Sequence, residues 1–79
     1  MNFPEFFGNL NPIEIEIGCG KGKFLVARAQ ENPSINFLGL DRVAKWMKIG
    51  IKRSEKQDLE NLFFMKAEIR EFFGRIPDL

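Results

Sequence analysis

Seven consecutive residues, Glu16-Ile17-Gly18-Cys19-Gly20-Lys21-Gly22, combine an acid with three alternating glycines. Glycine adopts positive φ without strain and, having no Cβ, lets a ligand come close to the main chain. A helix that starts just after such a turn offers unpaired N–H groups to an anionic group such as a carboxylate. Two more acids end apolar runs. Asp41 follows Ile35-Asn36-Phe37-Leu38-Gly39-Leu40, nineteen residues past Gly22, and Glu68 follows Leu62-Phe63-Phe64-Met65. An ionised carboxylate at the position of Asp41 can accept two hydrogen bonds from ribose hydroxyls, each roughly twice as strong as a neutral one. Asp41 can also cap the helix that follows it, and the two roles are compatible. Glu68 is placed to reach the edge of an adenine, or else it is a solvated acid at a helix start.

The glycine spacing separates the cofactor classes. A dinucleotide fingerprint needs G-x-G-x-x-G/A, and from Gly18 the last position is Lys23. A phosphate loop needs G-x-x-x-x-G-K-S/T, and no window fits. The pattern present is E-x-G-x-G-x-G. An acid two residues before the first glycine resembles the S-adenosylmethionine motif of class I methyltransferases. Cys19 fits as a small residue inside a tight turn. Lys21 and Lys23 read as solvent-facing, with the option of approaching a cofactor carboxylate.

The elements that must position these groups are legible from periodicity. Ile13-Glu14-Ile15-Glu16-Ile17 alternates apolar and acidic residues, which predicts a strand. Lys23 to Glu31 is rich in helix formers and is stopped by Asn32-Pro33-Ser34. Ile35 to Leu40 predicts a second strand. A second helix is predicted from Arg42 to Gln57, with Val43, Met47, Gly50 and Ile51 on the buried side and Trp46 beside them. Lys45, Lys48, Lys52 and Lys56 fall opposite. Gly50 lowers helix propensity by roughly 1 kcal/mol relative to alanine, which points to a close packing contact there. Leu62 to Met65 predicts a third strand, opened by Asn61. Ile69 to Phe73 predicts a short helix closed by Gly74-Arg75-Ile76-Pro77-Asp78.

The order β-α-β-α-β-α implies a parallel sheet with helices packed on it. Right-handed crossovers place the first strand beside the second and the second beside the third. Residues 1–12 read as an irregular lead-in whose Phe3, Phe6 and Phe7 pack on the core or form a substrate-contacting arm. Residues 13–79 read as one partial domain whose first strand keeps an open edge.

Composition narrows the chemistry further. The chain has 79 residues, room for one small domain at most. Its 44% hydrophobic and 29% charged content argue against disorder. It has no histidine and one cysteine, Cys19, so a Ser-His-Asp or Cys-His nucleophile system cannot be built and a zinc site is not expected. A single cysteine forms no disulfide within the chain and points to the reducing cytoplasm. No apolar run approaches the ~18 residues of a membrane span, and Met1 to Leu10 lacks a secretory pattern. The net charge of +1 is divided unevenly, with nine basic and seven acidic residues from 41 to 79. That excess matters only if the basic groups share a face. Lys45, Lys48 and Lys52 are the candidates for holding a nucleic-acid phosphate backbone, against the plain alternative of a solvated helix face.

Ile15-Glu16-Ile17-Gly18-Cys19-Gly20-Lys21-Gly22-Lys23-Phe24-Leu25 resembles the first motif of the bacterial tRNA (guanine-N7-)-methyltransferase family. Asn32-Pro33 with Asn36 to Asp41 resembles the family's second strand. That strand usually ends in glutamate, so Asp41 shortens the reach to the ribose. Leu59 with Asn61 to Glu68 resembles the third strand, Ala67-Glu68 standing where glycine-aspartate is usual. Phe6-Phe7-Gly8-Asn9 also suits the family's lead-in.

The resemblance covers about residues 10 to 79. It implies a Rossmann-like class I methyltransferase fold, of which this chain would be the N-terminal β-α-β-α-β-α half of a doubly wound parallel sheet. It implies S-adenosyl-L-methionine as cofactor, held by Glu16, Gly18, Gly20, Gly22, Asp41 and Glu68; from the composition, no metal and no membrane are expected. The substrate would be a guanine in the tRNA variable loop. The family's fourth strand ends in proline-aspartate-proline-tryptophan, which Pro77-Asp78-Leu79 does not match. The catalytic residues are therefore expected downstream of Leu79, and this chain is expected to be a fragment that is inactive alone. Guanine N7 carries a lone pair and no proton, so in-line placement can supply much of the acceleration without a strong base. Two alternatives stay open: a class I methyltransferase of another substrate, and a non-catalytic nucleoside-binding or interaction module.

Overall fold

The structure, a computed structural model, describes residues 2–68. Its elements are α1 (Phe3–Phe7), β1 (Ile13–Ile17), α2 (Lys23–Glu31), β2 (Asn36–Asp41), α3 (Ala44–Lys56) and β3 (Leu62–Lys66). The helix expected at Ile69–Phe73 and the segment after it lie outside the described residues. The three strands form one parallel sheet in the order β1-β2-β3, with Ile13 opposite Asn36 and Phe37 opposite Leu62. This is the strand order expected, and the fold is Rossmann-like α/β. No helix among the described residues is long and apolar enough to cross a membrane.

Two crossovers running in the same direction put both following helices on one face of the sheet. There Leu25, Val26 and Ala29 of α2 bury against Phe37 and Leu62, with Phe64 and Cys19 packed beside them. The pleat turns Leu38 and Leu40 to the other face, where Ile13, Ile15 and Met65 join them. β2 lies between the other two strands, which is why Asn36 to Leu40 is buried without a break.

The lead-in is not irregular throughout, as expected of residues 1–12. Phe3–Phe7 is a short helix. The Asn2 side chain accepts the Glu5 N–H at 3.0 Å, Pro4 stands at its start, and Gly8 closes it at φ 78°. The helix exists to deliver phenylalanines. Phe3 packs on the Leu38–Leu40 face, and Phe6 and Phe7 meet the Phe63 ring edge-on at 4.9 and 5.2 Å. Phe3 therefore packs on the core, while Phe6 and Phe7 pack on the half-exposed Phe63 ring at its margin.

Asparagines hold the opposite end of the sheet from the glycine turn. Asn61 Nδ2 donates to the carbonyls of Ala29, Asn32 and Ile35, at 3.1, 3.0 and 2.9 Å, joining the end of α2 to the start of β2. Asn36 Nδ2 donates to Asn9 Oδ1 at 2.7 Å, which ties the lead-in to β2.

The buried stripe of α3 is rotated from the one expected. Met47 and Gly50 are buried as predicted, but Ser54 completes the stripe, while Val43 and Ile51 stay 38% and 39% exposed. The cause is Gly50. A Cβ there would stand 2.9 Å from Phe64 Cζ and 3.4 Å from the Lys21 carbonyl. The helix is drawn down on its glycine, and the side chains flanking that line are turned outward. Replacing Gly50 by alanine is therefore expected to destabilise the chain by about 1–3 kcal/mol through overpacking, even though alanine is the better helix former by ~1 kcal/mol. Urea unfolding of the two proteins measures the difference, and an equal or higher midpoint for the variant would show that Phe64 yields freely.

Candidate adenosyl-binding site

The glycine turn leaves β1 at Gly18 and enters α2 at Lys23. Gly18, Gly20 and Gly22 all have positive φ, at 73°, 57° and 74°. A substituted residue would be strained at each. Gly18 and Cys19 both donate their N–H to the Leu40 carbonyl, at 2.7 and 3.2 Å, so the turn folds back over the tip of β2. The three glycines then differ in surroundings. Added Cβ atoms would find open space at Gly18 and only the Trp46 ring edge, at 4.0 Å, at Gly20. Gly22 is buried, and its Cβ would collide with Phe64 at 2.8 Å. Gly22 thus shapes the turn from behind, while Gly18 and Gly20 present main chain outward.

Asp41 locks this arrangement. Its Oδ2 accepts the Gly20 N–H and its Oδ1 accepts the Val43 N–H, both at 2.9 Å. Asp41 does not cap α3 as expected: the N-cap is Val43, without a side-chain bond, and the Asp41–Val43 bond is a local turn just before the helix. The bond to Gly20 spans 21 residues of chain and has no local signal in the sequence. Main-chain donation from Val43 and then Gly20 holds the Asp41 carboxyl below the usual carboxylate range. Each oxygen has one internal bond and keeps a lone pair for an outside donor.

A cleft of about 520 Å³ opens at the strand tips, lined among others by Gly18, Asp41, Trp46 and Glu68. Glu68 is exposed and pairs loosely with Arg42 at 3.4 Å, an ion pair of small energetic value. Glu16 is not on this wall. The pleat turns it towards α2, into a neighbouring opening with Glu14, Phe24, Leu25 and Arg28. Arg28 is committed to Glu14 through two bonds of 2.6 and 3.2 Å. Glu16 Oε2 is buried without a hydrogen-bond partner. Burial, and then the Glu14 charge, raise the Glu16 carboxyl above its ordinary value. Burial likewise pushes the Cys19 thiol up to about 11, with help from the Asp41 and Glu16 charges, so it is a protonated packing group at neutral pH. Lys21 and Lys23 are exposed, as are Lys45, Lys48 and Lys52 along the outer side of α3.

A family model described as "Putative methyltransferase" matches residues 10–78. The chain belongs to this methyltransferase family. The tRNA (guanine-N(7)-)-methyltransferase of Chloroherpeton thalassium is 40% identical over 75 residues, which is 95% of this chain and 33% of that protein. The enzyme of the same name from Lachnoclostridium phytofermentans is 42% identical over 64 residues, 81% of this chain and 30% of that one. The chain therefore spans about a third of the length of the curated relatives it matches. Among solved structures, PKMT2 from Rickettsia typhi, in complex with AdoHcy, superposes with a TM-score of 0.71 at 24% identity, over 77% of this chain and 12% of that one. TrmK of M. capricolum, in complex with S-adenosyl-homocysteine, gives 0.68 at 19% identity, over 98% and 36%. At these identities the two structures establish the fold of this methyltransferase chain.

The two carboxylates carry opposite pH signatures. Asp41 is ionised more easily in the folded chain, so its contribution is present above its ordinary value of 3.8 and is lost as pH falls through the lower folded value. Asp41→Asn keeps one acceptor oxygen but sets an amide donor against a main-chain N–H; it is expected to lower stability at pH 7 by about 1 kcal/mol, the scale of one lost hydrogen bond, and to flatten the acid limb of a thermal-melt series. Glu16 is the reverse. Its contribution is present below 4.5 and is lost as pH rises through the higher folded value. Glu16→Gln is expected to raise the melting temperature at pH 7 and to lose that advantage once the pH drops below 4.5. A variant that melts lower than wild type at pH 7 would count against an unmatched charge at Glu16.

Proposed function

We propose that this chain carries the cofactor-binding strands of a cytoplasmic, S-adenosyl-L-methionine-dependent tRNA (guanine-N7-)-methyltransferase. Family membership and the relatives' names support the reaction class. The observation that carries the reading to these residues is the Asp41 carboxylate, which holds the Gly20 amide at 2.9 Å and lines the cleft at the strand tips.

The residues present fit the cofactor. Asp41 keeps lone pairs that would accept from a pair of ribose hydroxyls, Gly18 leaves the turn open for close approach with the Trp46 ring edge beside Gly20, and Glu68 lines the same cleft, where it would meet the base edge. Glu16 lies off this cleft in the neighbouring opening, where its Oε2 is a buried acceptor with no partner; an amino-acid tail extending past the turn would bring an ammonium to it. Gly22 supports the turn from within. When bound, S-adenosyl-L-methionine supplies an electrophilic methyl carried on a sulfonium. The work of this chain is to bind and orient. No side chain here need remove a proton, because the guanine N7 lone pair is already free. The relatives run about three times the length of this chain, and the catalytic residues would lie in the part it does not span. Lys45, Lys48 and Lys52 present the charge with which α3 would meet tRNA phosphates.

Calorimetric titration of the folded chain with S-adenosylhomocysteine tests the reading. Wild type is expected to bind, and Asp41→Ala to bind about 10- to 100-fold more weakly, the cost of losing charge-assisted hydrogen bonds. A folded sample that takes up no ligand would favour an interaction module without a cofactor. With labelled S-adenosyl-L-methionine and unmodified tRNA, this chain alone is expected to transfer no methyl. Robust transfer would overturn the placement of the catalytic residues outside this chain.

A further inference from the structure

Among the described residues, eight large apolar side chains remain exposed, and three of them line the one cleft that holds Asp41 and Glu68: Ile17, Val43 and Trp46. Exposed apolar surface gathered in a concave site and edged by polar groups marks a ligand contact. The polar groups here are carboxylates, suited to hydroxyl or amino donors. The apolar wall therefore has to meet a flat, weakly hydrated part of the same ligand. Ile17 and Val43 offer small aliphatic surfaces. Trp46 alone offers an aromatic plane the size of a purine, and it is 41% exposed. Its position is set by the main chain. The Trp46 N–H donates to the Val43 carbonyl at 3.2 Å, in the first turn of α3, and the Val43 N–H is itself held by Asp41. One carboxylate thus fixes both the hydroxyl-binding corner and the start of the helix that carries the indole.

We infer that Trp46 is the base-stacking wall of this cleft and sets its preference for an adenosyl ligand. The inference rests on the cofactor reading above and adds to it a residue that the glycine-and-acid pattern does not contain. A purely structural role is the competing account, since the Trp46 ring also covers the turn at Gly20, 4.0 Å from the position of a Cβ there. The two accounts separate by substitution. Leucine keeps apolar cover but has no aromatic face, whereas phenylalanine keeps the face.

Trp46 is the only tryptophan of the chain, which has no tyrosine, so its emission reports on this wall directly. Titrating the chain with S-adenosylhomocysteine is expected to change Trp46 fluorescence along the same isotherm that calorimetry gives. Trp46→Phe is expected to bind within about 3-fold of wild type, and Trp46→Leu about 5- to 150-fold more weakly, the range measured for one lost base–aromatic stack. 5′-Methylthioadenosine, which has the base but no amino-acid tail, should lose affinity by a similar factor. Circular dichroism and melting temperature are expected to be unchanged in both variants. If wild type binds by calorimetry while the emission stays constant and Trp46→Leu binds equally well, the stacking role falls and the cofactor reading stands. If folded wild type binds neither ligand, the cofactor reading itself fails and takes this role with it.

Discussion

The ring of Phe64 presses on three glycines from three different parts of the chain. Cβ atoms at Gly22, Gly39 and Gly50 would each come within 3.0 Å of it. No side chain could be added at the turn, the central strand or the second crossover helix without moving the ring or the main chain around it. Gly22 and Gly50 also approach each other through main chain alone, with Gly50 Cα 3.2 Å from where a Gly22 Cβ would stand. This packing brings the turn after β1 and the helix after β2 down onto one sheet face. It sets how far apart the walls of the cleft at the strand tips can stand. The positive φ values on the outer side of the turn then leave main chain bare where a ligand would arrive.

Around that framework two carboxylates sit in contrasting surroundings. Asp41 lies in a nest of main-chain donors and is stabilised as an anion. Glu16 is one strand away, turned towards α2, with one oxygen buried and without a hydrogen-bond partner, while the nearby Arg28 is paired with Glu14. Folding favours the charge on the first and opposes it on the second. Unfavourable groups of this kind collect where binding rather than stability is served.

The local elements were readable because their causes are local. The alternation of Ile13 to Ile17 and the breaks at Gly18 and Asn32 bound β1 and α2 where the structure has them. What escaped depends on distant partners. The face α3 buries is decided by Phe64, fourteen residues beyond Gly50, so a helical wheel alone puts Val43 and Ile51 on the wrong side. The short helix of the lead-in rests on Asn2, Pro4 and Gly8, signals present in the sequence but outweighed by its surrounding proline, asparagine and glycine. At the site, the acids and glycines were visible as types and spacings. The bond from Gly20 to Asp41 was not, since it requires knowing that the turn folds back over β2. The separation of Glu16 from the cleft follows from pleat parity. Glu16 and Ile17 must face opposite ways, and it is Ile17 that reaches the cleft.

Both oxygens of Asp41 are engaged before any ligand arrives. Restricting a side chain on association costs on the order of 0.5–1.5 kcal/mol. Here that rotamer entropy is lost when the chain folds, so capture of a partner need not freeze the side chain again. This corner of the cleft is consequently as rigid as the tertiary structure and no more so. Heat or denaturant that frays the loop between β1 and α2 would erode affinity ahead of global unfolding, and a bound guest would in turn shield that loop's amides from solvent exchange.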